Sequence, residues 1–127
     1  IDYNRVNLLM AVLEKRAGLH LGDWDAYVNL AGGMKLGEPA IDLGIVMAIA
    51  SSYKNKVVDP ELLIFGEVGL SGEIRGVSMA EQRVREAEKL GFTACLMPKA
   101  NLESLQGKYQ IRLIGVSNIK EAMNYII

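Results

Sequence analysis

Any chemistry of this chain must be built from its hydroxyls, carboxylates, cations and its one thiol, so their types and spacing come first. Ser78 stands three residues before Glu81, at the mouth of an apolar-periodic segment. Ser-x-x-Glu in that place is a capping box, with Ser78 as N-cap and Glu81 reaching back to it. Ser51 and Ser52 lie near the end of an apolar stretch, where a hydroxyl can bond back to helix carbonyls. Ser71 reads as a turn residue, and no Gly-x-Ser-x-Gly elbow is present. With one Cys (Cys95) and one His (His20), the chain has neither a disulfide framework nor a His/Cys zinc site. Cys95 sits in a short apolar run and reads as a small buried hydrophobe. His20, between Leu19 and Leu21, reads as a capping or packing residue, and no acid-rich loop has calcium-loop spacing.

Phosphate chemistry is equally sparse. Gly107-Lys108 is followed by Tyr109 and lacks the upstream glycine of a P-loop. The series Gly66, Gly69, Gly72, Gly76 is spaced as turn glycines, so this segment is not expected to bind ATP. Arg75, Arg83, Arg85 and Lys89 cluster with Glu81, Glu86 and Glu88 interleaved, and Glu81–Arg85 is a favourable i, i+4 pair. Two readings stand: a solvated helix face, or a strip that faces a phosphate backbone or a neighbouring subunit. Lys35, ahead of Pro39, can join either. No aromatic stacking pattern accompanies these charges. Asp42 is the odd carboxylate, in the first turns of an otherwise apolar helix. There it must find Lys, Arg or backbone N–H partners, or else serve as a subunit-contact or switch residue.

The elements that must position these residues follow from periodicity. Asp2 caps a helix running to about Ala17, with Val6, Leu9, Met10 and Leu13 as one stripe and Gly18 as its stop. Asp25 to Met34 reads as a strand ended by Gly32-Gly33. Pro39 opens a second helix to about Tyr53, apolar nearly all round and therefore buried. Leu62 to Val68 and Leu70 to Val77 read as a hairpin turning at Ser71-Gly72, and Ser78 to Leu90 as a helix. Ala94 to Met97 is a strand, Asn101 to Leu105 a helical turn, and Ile111 to Ile114 a strand. Ser117 to Ile126 is a last helix capped by Ser117. The class is α/β, with a mixed sheet packed against helices in two layers.

Composition sets the outer bounds. The chain has 127 residues, a formal charge of −1 and 50% hydrophobic content, which fits one domain with its own core and excludes disorder. Near-neutral charge argues against a strongly basic nucleic-acid module. The longest apolar run, Ile41 to Ala50, is too short for a membrane span and contains Asp42. A start at Ile1 and no targeting segment suggest a domain excised from a longer cytoplasmic protein.

Two blocks carry a family resemblance. Asn29 to Leu43, NLAGGMKLGEPAIDL, resembles the active-site stretch of the Lon protease family, where a Gly-Pro-Ser-Ala-Gly helix start follows a glycine-containing loop. Phe65 to Arg83, FGEVGLSGEIRGVSMAEQR, resembles the Lon hairpin and the helix with its catalytic lysine. Lon peptidases use a Ser–Lys dyad. Residue by residue, the serine position is Ala40 and the lysine position Glu81, while Ile41 and Asp42 replace a small Ala-Gly pair. The resemblance therefore implies a Lon-like fold without peptidase activity. Over its whole length the chain is most similar to the C-terminal Lon-like domain of the RadA (Sms) family of bacterial DNA repair proteins. The residues carrying this are DYNRVNLLMAVLEKRAGL, the Glu38-Pro39-Ala40 box, FGEVGLSGEIRGV and EQRVREAEKLGF.

That resemblance implies a three-part parent, with a zinc finger and a RecA-like ATPase ahead of this domain. ATP, magnesium and zinc would be held outside this segment. It further implies a hexameric ring, DNA-dependent ATPase and helicase activity on recombination intermediates, and recombination proteins as partners. Lys35, Arg75, Arg83 and Arg85 are the candidates for DNA or subunit contact, and the isolated domain is expected to bind DNA weakly. Two alternatives are a peptidase with a displaced nucleophile (Ser51, Ser71 or Ser78 with a Lys or Glu81) and a protein-docking module without DNA contact.

Overall fold

The computed structural model describes residues 3–23, 25–27, 30 and 38–126. Helix α1 (Tyr3–Arg16) buries Val6, Leu9, Met10 and Leu13 completely. Gly18 stops it in the left-handed region, with φ +72°. The Leu19 N–H then closes back on the Leu13 carbonyl at 3.3 Å. The expected strand from Asp25 to Met34 is not seen where the backbone is described: residues 25–27 and Leu30 are helical. The rest of that stretch, with Gly32-Gly33, and the Asp2 cap lie outside the described residues.

Pro39 opens a 3-10 turn (Pro39–Ile41) that runs directly into helix α2 (Asp42–Lys54). A proline at a helix's first position loses nothing, because its missing N–H would have no partner there. Leu43, Ile45, Val46, Met47, Ile49 and Ala50 are all buried, so α2 is central. Asn55, left-handed at φ 52°, ends it.

The expected Leu62–Val68 strand is two strands. β1 (Leu62–Ile64) belongs to a three-stranded parallel sheet of order β1-β4-β5, with β4 at Ala94–Pro98 and β5 at Arg112–Val116. After a break at Phe65-Gly66, β2 (Glu67–Val68) pairs antiparallel with β3 (Ile74–Arg75). Parallel and antiparallel pairing thus occur in separate sheets among the described residues. Helix α3 (Ala80–Leu90) and helix α4 (Lys99–Leu105) make the crossovers that parallel strands require.

The central strand β4 is buried on both faces, as its unbroken apolar run demands. Ala94 and Leu96 join the core built with α1, α2 and the last helix α5 (Ile119–Met123). Cys95 and Met97 join the opposite core with Ala80, Val84, Ala87 and Leu105 from α3 and α4. The two-residue period of a strand therefore divides one apolar run between two cores. Burial, then the charge of Glu88, pushes the Cys95 thiol up to about 11, which leaves it unreactive.

Two expected caps are different residues. Helix α3 begins after Met79, left-handed at φ 60° and without a side-chain cap, so Ser78 and Glu81 form no capping box. The chain is held there by Asn101 instead. Its Oδ1 accepts the Val77 N–H at 2.9 Å, and its Nδ2 donates to the Val77 carbonyl at 3.0 Å. Helix α5 is capped by Asn118 rather than Ser117, with Oδ1 accepting the Glu121 N–H at 3.0 Å. Glu121 in turn accepts the Ser117 N–H at 2.8 Å. The Glu121 carboxylate thus holds the residue before the cap rather than the cap itself.

Candidate functional site

The site is the junction where the 3-10 turn meets the break between β1 and β2. Gly66 makes that junction. Its N–H donates to the Ala40 carbonyl at 2.8 Å, and its carbonyl accepts the Leu43 N–H at 3.0 Å. Ala40 is thereby docked, buried, against the end of the sheet. A methyl group offers no nucleophile at this position.

Beneath the junction lies Asp42, 1% exposed. Arg5 of α1 grips it with both Nε, at 3.0 Å to Oδ1, and Nη2 to Oδ2. Oδ2 also accepts the Val68 N–H at 3.0 Å. One carboxylate therefore ties α1, α2 and the hairpin together.

Above the junction, Arg83 of α3 reaches Glu38 at 2.8 Å, donates to the Ser78 carbonyl at 3.2 Å, and lies 5.9 Å from the centre of the Phe65 ring. The hydrogen bond from Arg83, and then its charge, hold the Glu38 carboxyl below the usual carboxylate range. A folded value below the unfolded one contributes stability above the ordinary carboxylate range, and that contribution is lost as pH falls through the folded value. Arg83→Gln should return the Glu38 titration midpoint upward toward the ordinary value in a carboxyl NMR titration. An unmoved midpoint would show that the pair does not form in solution.

Glu81 faces elsewhere. Two residues from Arg83, it lies about 200° round the helix. Partial burial raises the pKa of the Tyr109 phenol, the nearby Glu81 carboxylate adds to the rise, Arg85 opposes it and Glu88 adds a little more. The expected Glu81–Arg85 ion pair is not formed among the described residues. Beside Arg83, a groove of about 490 Å³ runs between α3 and β1, lined by Leu63, Met79, Gln82, Glu86, Ala87 and Leu90 among others. Met79 and Leu90 are 59% and 67% exposed.

Two of the four cationic candidates are spent on carboxylates. Arg83 is committed to Glu38, and Arg75 to Glu73 at 2.9 Å. Arg85 is exposed on α3, and Lys35 lies outside the described residues. Ser51 donates to the Ala48 carbonyl at 2.9 Å, the local back-bond its place on a helix predicts. The His20 side chain is exposed rather than packed. Arg5, Glu38 and Glu73 were not signalled as site residues. Only Arg5 left a trace, as a cation inside the apolar pattern of α1. Among the described residues no three His, Cys, Asp or Glu converge as a metal site. No helix among the described residues is long and apolar enough to cross a membrane.

Residues 5–101 match the family model described as "Subunit ChlI of Mg-chelatase", and the chain belongs to that family. Within it, the chain corresponds to the C-terminal part of bacterial RadA proteins. It is 56% identical over 123 residues to the DNA repair protein RadA of Bacillus subtilis, covering 97% of this chain and 27% of that protein. To the RadA of Streptococcus pneumoniae it is 52% identical over 126 residues, 99% of this chain and 30% of that one. The RadA of Halalkalibacterium halodurans is 52% identical over 123 residues. The chain spans less than a third of the length of these relatives.

Proposed function

We propose that this chain is a non-peptidase, Lon-like scaffold within a RadA-type DNA repair and recombination ATPase, a branch-migration helicase acting in the cytoplasm. The domain supports assembly of a hexameric ring and adds contacts to duplex DNA. ATP, magnesium and zinc belong to parts of the parent outside these residues. The observation that carries the reading is identity of 50–56% to DNA repair proteins across nearly the whole chain. Alanine at the nucleophile position supports the non-peptidase part.

The test compares the full-length parent with a truncation lacking residues 1–127. The truncation should lose the ring in analytical ultracentrifugation, bind DNA more weakly and fail to move branch points. Unchanged ring formation and branch migration would reject the scaffold. A serine-reactive fluorophosphonate should leave the parent unlabelled; labelling at Ser51, Ser71 or Ser78 would restore the displaced-nucleophile peptidase.

A second reading, a protein-docking module without DNA contact, is favoured by the groove between α3 and β1 with Met79 and Leu90 exposed beside it. Under it, Met79→Ser with Leu90→Ser would abolish capture of recombination proteins and leave DNA binding unchanged.

A further inference from the structure

The hairpin tip, residues 69–72, is held more firmly than an ordinary surface turn. The Gly72 N–H donates to the Gly69 carbonyl at 3.0 Å, and the Gly69 N–H to the Glu73 carbonyl at 2.9 Å. The Glu73 carboxylate folds beneath the turn. Its Oε1 accepts the Ser71 N–H at 3.0 Å, and its Oε2 accepts Arg75 Nε at 3.1 Å and Nη2 at 2.9 Å. A Cβ on Gly69 would collide with that carboxylate, and one on Gly72 would stand 2.9 Å from Arg16 Cβ. The Gly72 carbonyl accepts the Ile119 N–H at 2.9 Å. The tip is therefore clamped between the end of α1 and the start of α5.

What this clamped tip presents is Leu70, 66% exposed. Lys15 and Arg16 end α1 beside it, and Lys120 sits in the first turn of α5. All three are exposed and form no ion pair among the described residues. Glu73, the acid nearest the tip, is neutralised by Arg75. An exposed apolar side chain on a turn flanked by the cationic end of α1 and the cation-bearing start of α5 is poor material for a protein interface, whose core is depleted of lysine. It suits a nucleic acid: cations hold phosphates, and an apolar wedge separates stacked bases.

We propose that Leu70 is a wedge that inserts between stacked bases of DNA, whose phosphates are held by Lys15, Arg16 and Lys120. This rests on the reading of the parent as a DNA-acting protein. It moves the contact from Arg75 and Arg83, which are spent on Glu73 and Glu38, to the α1–α5 side of the hairpin.

The test uses the full-length parent and a duplex carrying 2-aminopurine, whose fluorescence rises when its stacking is relieved. Binding of the unmodified protein should raise the fluorescence. Leu70→Ala should abolish the rise while affinity stays within about 3-fold and the salt slope is unchanged, because no phosphate contact is removed. Arg16→Gln and Lys120→Gln should each lower the salt slope by about one. Thermal melting of each variant within about 2 °C of the parent confirms that the tip was changed and not the fold. DNA binding with a full fluorescence rise in Leu70→Ala, or with no rise in the unmodified protein, overturns the wedge and leaves the DNA reading standing. No DNA binding by the unmodified parent overturns the reading beneath it.

Discussion

Replacing Asp42 by alanine is expected to cost about 3–5 kcal/mol, a large part of the roughly 5–15 kcal/mol that holds a domain folded. The carboxylate is buried, accepts two donors from Arg5 and a third from the Val68 N–H, and no water can replace it at 1% exposure. Removing it strips those donors of their acceptor at the point where α1, α2 and the hairpin meet. Thermal unfolding followed by circular dichroism should show the midpoint falling by about 10–20 °C. The double change Arg5→Met with Asp42→Leu separates the cost of breaking the pair from its net worth. If well-packed apolar groups serve as well as a buried ion pair, the double variant recovers most of the loss. A loss below about 1 kcal/mol in Asp42→Ala would mean that the site is wetter and looser than its geometry.

Much of this was legible in the sequence. A buried carboxylate in the first turns of an apolar helix has few options, and partners of the Arg or backbone type are what Asp42 has. The stripe on α1, the proline start of α2 and the two-sided burial of β4 follow from period and composition alone. Several of the misses arise where a local pattern was overridden by other contacts. Ser78 and Glu81 have capping-box spacing, yet Asn101, 24 residues from Val77, holds the chain entry, and Met79 takes the left-handed conformation. Glu81 and Arg85 have ion-pair spacing, yet no ion pair joins them among the described residues. Arg75 and Arg83 read as free cations because their acids are invisible to a helical template. Glu73 lies two residues from Arg75, and Glu38 lies 45 residues from Arg83. Residues 25–27 read as strand because alternation over so short a span fits either period.

Gly66 is where sequence and structure diverge with the largest consequence. Leu62 to Val68 has the composition of one strand, and a glycine inside a strand pattern marks a bulge or a close backbone approach. Here it is the close approach. With φ at +156°, Gly66 turns the chain out of the parallel sheet and into the hairpin, while its N–H and carbonyl bind Ala40 and Leu43. A Cβ there would stand 3.1 Å from Ile74 Cγ2 and 3.3 Å from both Leu43 Cδ2 and Pro98 Cγ. Gly66→Ala therefore meets two costs at once, a backbone conformation that L residues rarely adopt and crowding against three packed side chains. The sum should be about 2–4 kcal/mol. The effect should not be confined to stability. Relief of the clash by backbone shift breaks the Ala40 and Leu43 bonds, so amide exchange at Gly66 and Leu43 should accelerate well beyond the change at β4. Equal acceleration throughout the domain would assign the loss to global unfolding alone. The glycine would then be a packing residue, and the Ala40 junction would owe its geometry to Pro39 and Asp42.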